Sequence, residues 1–119
     1  MNIPTTIAFE GVPESDALQQ AVLRHAADLE RFYDRITSCR VVVARPNHRH
    51  HKGGVYSVRI DVTVPGGEIV VNRERGLSHA HEDVFVALRD AFDAARRQLE
   101  DHVRTMRGQV KAHPAAARR

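Results

Sequence analysis

The stretch VYSVRIDVTVPGGEIVVNR, residues 55–73, carries the clearest periodicity in the chain. Val58, Ile60, Val62 and Val64 fall on one side of an extended backbone, with Ser57, Arg59, Asp61 and Thr63 on the other. A period of two residues marks a strand with one buried and one wet face. Pro65-Gly66-Gly67 comes next. Proline presets φ for a turn, and glycine accepts the positive φ that a type II turn requires. Glu68 to Arg73 is therefore the return strand of a hairpin, with Ile69 and Val71 facing inward.

Working back from the hairpin, Cys39 to Ala44 is short and β-branched, a further strand. Arg45-Pro46-Asn47 ends it, and a histidine-rich loop, residues 48–54, leads into the hairpin. Near the N-terminus, Ile3 to Phe9 reads as a strand with Ile7 and Phe9 on one side, broken by Gly11-Val12-Pro13. Ser15 is a good N-cap, and Asp16 suits the positive end of a helix dipole. Leu18, Val22, Ala26, Leu29 and Phe32 or Tyr33 then recur at helical spacing, predicting a helix that ends near Asp34. Beyond the hairpin, a polar loop (Glu74 to His81) precedes a second helix from about Asp83 to Arg107. Its apolar stripe is Val84, Leu88, Ala91/Phe92, Ala95, Leu99, Val103 and Met106, with Gly108 as its stop. Residues 108–119, basic, alanine-rich and containing Pro114, read as a disordered tail or linker after one domain, residues 1–107.

The order β-α-β-β-β-α predicts an α+β two-layer sandwich with a four-stranded mixed sheet. A right-handed crossover makes the first two strands parallel neighbours, and the others form an antiparallel meander. Each helix has one apolar stripe, so both pack on one sheet face. The other face, with Arg59, Asp61, Thr63, Glu68 and Asn72, is expected to be solvated.

With 119 residues there is room for one domain, and the lone Cys39 excludes an internal disulfide framework. No apolar run of about 18 residues exists to span a membrane, and the N-terminus has no secretory h-region. A reduced cytoplasmic setting is expected. No phosphate loop, nucleophile elbow or dinucleotide fingerprint occurs. His81-Glu82-Asp83-Val84-Phe85 begins like a zincin helix but has phenylalanine at the second ligand position. The sequence thus carries no complete motif of these enzyme classes. The net charge is +3, unevenly spread: residues 1–34 hold two basic and six acidic groups, residues 35–81 eight and three. Of the 18 basic residues, 16 are arginine, whose planar fork suits phosphate.

Two clusters have chemical content. Arg89, Arg96, Arg97, Arg104 and Arg107 lie off the apolar stripe of the second helix, interleaved with Asp93 and Glu100. They fit a solvated face with ion pairs Arg89–Asp93–Arg97 and Arg96–Glu100–Arg104. They equally fit a phosphate-tracking ridge, extended by Lys111, Arg118 and Arg119, on an RNA- or DNA-binding module. Exposed aromatics for base stacking are scarce, so any binding is expected to read backbone and shape more than sequence. The second cluster is His48, His50 and His51 with His79 and His81, in two loops whose roots lie about 10 Å apart in the meander. It suits a metal-binding regulator, though two histidine-rich loops are the simpler reading, and no metal ligand is assigned.

The strings ALQQAVLRHAADLERFYDRI (17–36), VPGGEIVV (64–71) and DVFVALRDAFDAARRQLEDH (83–102) resemble the hibernation promoting factor and ribosome-associated inhibitor A family, also called sigma-54 modulation or ribosomal subunit interface proteins. The likeness runs to about residue 107 with the same element order. It implies a non-enzymatic domain, without cofactor or small-molecule substrate, that binds the small ribosomal subunit and its rRNA, blocks the mRNA/tRNA channel and silences translation under stress; its oligomeric state is left open, with a monomer expected. It also implies contact through basic groups on both helices. His25 stands where close relatives have lysine, Arg97 matches the arginine of an R-Q-L string, and Arg104 and Arg107 fall in a lysine-rich stretch of relatives. Helix geometry adds Arg24, Arg31 and Arg96. Three departures stand out: an acidic first helix, a histidine-rich loop longer than in short members, and, within these 119 residues, none of the C-terminal dimerisation domain of long members, which fits either a short form or part of a longer protein.

Overall fold

The computed structural model describes residues 4–45, 55–76 and 80–116, with side chains described for 4–45, 56–73 and 84–108. Six elements follow in order: β1 (Thr5–Glu10), α1 (Asp16–Phe32), β2 (Ser38–Ala44), β3 (Val55–Val64), β4 (Gly67–Gly76) and α2 (Ala80–Ala116). The sheet runs β1-β2-β3-β4. β1 is parallel to β2, while β2–β3 and β3–β4 are antiparallel. This is the expected α+β architecture.

Local chemistry sets the element ends. Ser15 caps α1, its Oγ accepting from the Leu18 N–H at 3.3 Å, and the Tyr33 N–H closes the last turn on the Leu29 carbonyl. Pro65 and Gly66 form a tight two-residue hairpin connection, since Val64 pairs with Gly67. Gly66 has φ +86°, the left-handed value expected of the residue after proline.

One core lies between the sheet and the helices. Val41, Val43, Val58, Ile60, Val62 and Val71 supply its floor, fully buried or nearly so. Leu18, Val22 and Leu29 of α1, with Leu88, Phe92 and Leu99 of α2, close it from above. The far face of the sheet is open: Arg40, Arg59, Thr63, Glu68 and Asn72 are exposed, as is Val70 at 43%.

Three boundaries differ from the reading of the sequence. β4 runs on to Gly76 because β3 starts at Val55, and its first residues need backbone partners: Tyr56 pairs with Arg75 and Val55 with Gly76. α2 begins at Ala80, and it continues past Gly108 to Ala116 instead of giving way to a disordered tail. A single glycine costs a helix only about 1 kcal/mol relative to alanine. Gln109, Lys111, Ala112, Ala115 and Ala116 are good helix formers, but Pro114 lies among them and costs about 3 kcal/mol in a helix, so propensity alone does not explain the extension. Finally, Met106 is not a core residue: it is 37% exposed, and its methyl group rests against Gly66 of the hairpin turn.

Candidate nucleic-acid interface

The surface of interest is the outer side of the helical layer. α1 and α2 both turn their apolar stripes to the sheet, so their remaining faces form a shallow two-helix surface with a seam between them. Arg89, Arg96, Arg97, Arg104 and Arg107 of α2 are exposed there, as are Arg24 and Arg31 of α1. On an α-helix, positions 89 and 96, or 97 and 104, lie two turns and about 10 Å apart. The arginines therefore form rows along α2 and do not encircle it.

The ion pairs are local and exposed. Arg96 reaches Glu100 at 3.5 Å and Arg104 reaches Asp101 at 3.3 Å. Arg89 takes Asp90 at 3.5 Å, and Arg31 pairs with Asp28. Only Arg96–Glu100 matches the ladder expected from sequence. Asp93 does not join that ladder; it lines the seam beside His25. Exposed pairs of this kind are worth about 0–1 kcal/mol each, so an incoming phosphate can displace them. Among the described residues, Arg24, Arg97 and Arg107 make no ion pair.

Two hollows lie along the seam. The smaller, about 90 Å³, is lined by His25, Asp28, Leu29, Phe92, Asp93 and Arg96. Here the His25 ring stacks on Phe92 with centroids 4.9 Å apart and planes 14° from parallel. Burial lowers the pKa of His25 below its ordinary value; Arg24 adds to the lowering, while Asp28 and Asp93 oppose it. The larger hollow, about 280 Å³, is lined by Phe32, Tyr33, Glu100, Val103, Arg104 and Arg107. Arg96 joins the two, its guanidinium lying over the Phe32 ring at 4.8 Å.

The predicted site residues thus separate. His25 and Arg96 meet in the first hollow, Arg104 and Arg107 in the second. Arg24 and Arg31 flank the seam on α1, and Arg89 and Arg97 lie along α2. Lys111 falls in the last turns of α2, where the side chains are outside those described. Of the histidine clusters, residues 48, 50, 51 and 79 lie outside the described residues, as does the side chain of His81. The other described residues contain no group of His, Cys, Asp or Glu able to hold a metal. Cys39 is a buried thiol whose pKa is pushed up to about 12 by burial and by Asp61. A thiol held neutral in this way is a poor nucleophile.

The reading of the sequence missed the aromatic wall of the larger hollow. Phe32 or Tyr33 was expected to close the apolar stripe of α1; both are half-buried and pack against the core, and both also line the hollow that Arg104 and Arg107 border. An aromatic pair at the very end of an amphipathic helix was the available signal.

Comparison with known proteins is consistent across sequence and fold. Residues 5–107 match the family described as Sigma 54 modulation protein / S30EA ribosomal protein. A ribosome hibernation promoting factor of Pseudomonas putida is 29% identical over 96 residues, covering 81% of this chain and 82% of that protein. One from Azotobacter vinelandii is 32% identical over 88 residues, covering 74% and 71%. The N-terminal domain of Protein Y from Thermus thermophilus superposes with TM-score 0.65 at 23% identity, over 86% of this chain and 99% of that one. A ribosomal subunit interface protein from Coxiella burnetii gives TM-score 0.65 at 17% identity, over 84% and 97%. The last two likenesses show the fold alone. No helix among the described residues is long and apolar enough to cross a membrane.

Proposed function

The chain belongs to the Sigma 54 modulation protein / S30EA ribosomal protein family, and from that premise we propose that it is a ribosome hibernation factor. It binds the small ribosomal subunit through rRNA, fills the mRNA/tRNA channel and silences translation under stress. It acts by occupancy and electrostatics, as a binding protein and not an enzyme.

The observation that carries this reading is the exposed row Arg96, Arg97, Arg104 and Arg107 along α2. Its ion pairs are weak and solvent-accessible, and the row borders a seam with the basic groups Arg24 and Arg31 and the His25 ring of α1. Guanidinium groups in such a row neutralise successive phosphates and release counterions. Arg89 and Lys111 extend the proposed surface at either end of α2.

Co-sedimentation with purified small subunits across a salt series tests the proposal. At low salt the protein is expected in the ribosomal fraction. The double reversal Arg97→Glu with Arg104→Glu is expected to abolish pelleting without changing the urea midpoint, since both side chains are exposed. Wild-type protein that stays in the supernatant at low salt overturns the proposal.

A further inference from the structure

The hollow at the C-terminal end of α1 has a composition that phosphate contact alone does not call for. Phe32, Tyr33 and Val103 give it an apolar wall, and Glu100, Arg104 and Arg107 give it a charged rim. Its volume of about 280 Å³ falls just below the range for pockets that enclose whole drug-sized ligands, about 300–1,000 Å³. A single planar heterocycle, attached to a chain that continues outside, is a better match in size.

The aromatic faces are unequal. One side of the Phe32 ring is covered by the Arg96 guanidinium. Among the described residues, nothing stacks on Tyr33. It is held at the α1 C-cap by the bond from its N–H to the Leu29 carbonyl, so its backbone is fixed. Glu100 is equally specific: Arg96 Nε reaches Glu100 Oε2 at 3.5 Å, leaving Oε1 to accept another hydrogen bond. A carboxylate at the mouth of an anion-binding surface is unfavourable for phosphate, but it is the acceptor a base amino group requires.

We propose that this hollow is a base-stacking subsite for single-stranded RNA: one unpaired base lies against Tyr33, its exocyclic amino group donates to Glu100, and the flanking phosphates meet Arg104 and Arg107. Unpaired bases are recognised in this manner, by aromatic stacking with hydrogen bonds to their edges. Charge complementarity supports this occupant over an apolar peptide segment, because two arginines and one carboxylate border the wall. Uracil has no exocyclic amino group, so cytosine, adenine or guanine is favoured over it. The inference rests on the rRNA reading above and adds to it a base preference that a pure phosphate ridge lacks.

Three 5′-labelled RNA decamers of equal charge separate the contributions: all-cytidine, all-uridine and abasic. Fluorescence anisotropy with the full chain at low salt is expected to rank them in that order. The cytidine decamer should bind about tenfold or more tighter than the abasic one, as base–aromatic stacking implies. Tyr33→Leu keeps the apolar packing and should bring the cytidine decamer down to the abasic level, whereas Tyr33→Phe should retain the contrast. Glu100→Gln should erase the preference for cytidine over uridine, because an amide donates to uracil as readily as it accepts from cytosine. Arg104→Gln should weaken all three equally. Equal binding of cytidine and abasic decamers by wild-type protein that still pellets with small subunits overturns the subsite and leaves the ribosomal reading standing. A contrast that survives in Tyr33→Leu overturns it likewise. Failure to pellet at low salt removes both.

Discussion

His25 shows how one side chain can serve packing and charge at once. Its ring stacks on Phe92 across the seam, and burial, reinforced by Arg24, favours the neutral form against Asp28 and Asp93. The folded-state pKa is therefore lower than the unfolded one. Between those two values the unfolded chain binds more protons, so stability must fall as pH drops through the ordinary histidine value near 6.5. The contribution is fully present above that value. Urea midpoints at pH 7.5 and 5.5 check this: the wild type should lose more on acidification than His25→Gln, and equal losses would show that His25 is not linked to folding. The sequence placed His25 on the first helix at a position where relatives have lysine, and so gave it a purely electrostatic role. Its ring partner lies on the other helix, and no local pattern could announce that contact.

At the scale of elements, the hairpin turn and α2 are fastened together. His102 Nε2 lies 3.2 Å from the Pro65 carbonyl oxygen, and Met106 covers Gly66. A Cβ at Gly66 would come within 3.2 Å of the Met106 methyl group and would sit on a backbone at φ +86°. The left-handed conformation costs a residue with a Cβ about 1–2 kcal/mol. Gly66→Ala should therefore lower the unfolding free energy by at least about 1 kcal/mol, read from chemical denaturation; an unchanged midpoint would mean that the turn relaxes freely. The turn was legible because proline and glycine dictate backbone angles directly. The docking of Met106 on it was not, since the same i, i+3, i+4 spacing would place Met106 in the core if the sheet extended that far. Ten-residue strands span about 33 Å, while the 37 residues of α2 span about 55 Å, so the helix overhangs.

As a whole, the molecule measures 55 × 33 × 17 Å, and α2 accounts for the longest dimension. The sheet's open face and the helical face point in opposite directions, and the second holds the rows of arginine. This polarity predicts a difference in salt dependence. For binding to small subunits, Arg97→Gln should reduce the slope of log K against log salt by about 0.7–0.9, the loss of one neutralised phosphate. Arg59→Gln, on the open face beside Asp61, should leave the slope unchanged; equal effects would mean that the two faces bind alike. The composition alone, at net +3, could not say where that charge acts. From sequence alone came the six elements, the sheet order, the core stripes, Met106 apart, and the α2 arginines, because each follows from a short-range period or a turn residue. Tertiary structure decided the seam: the stacking of His25 on Phe92, the cover of Arg96 over Phe32, and the hollow between Tyr33 and Arg104. Those pairs lie roughly sixty to seventy residues apart, and they meet only because two helices cross on a shared sheet at an angle that no single element encodes.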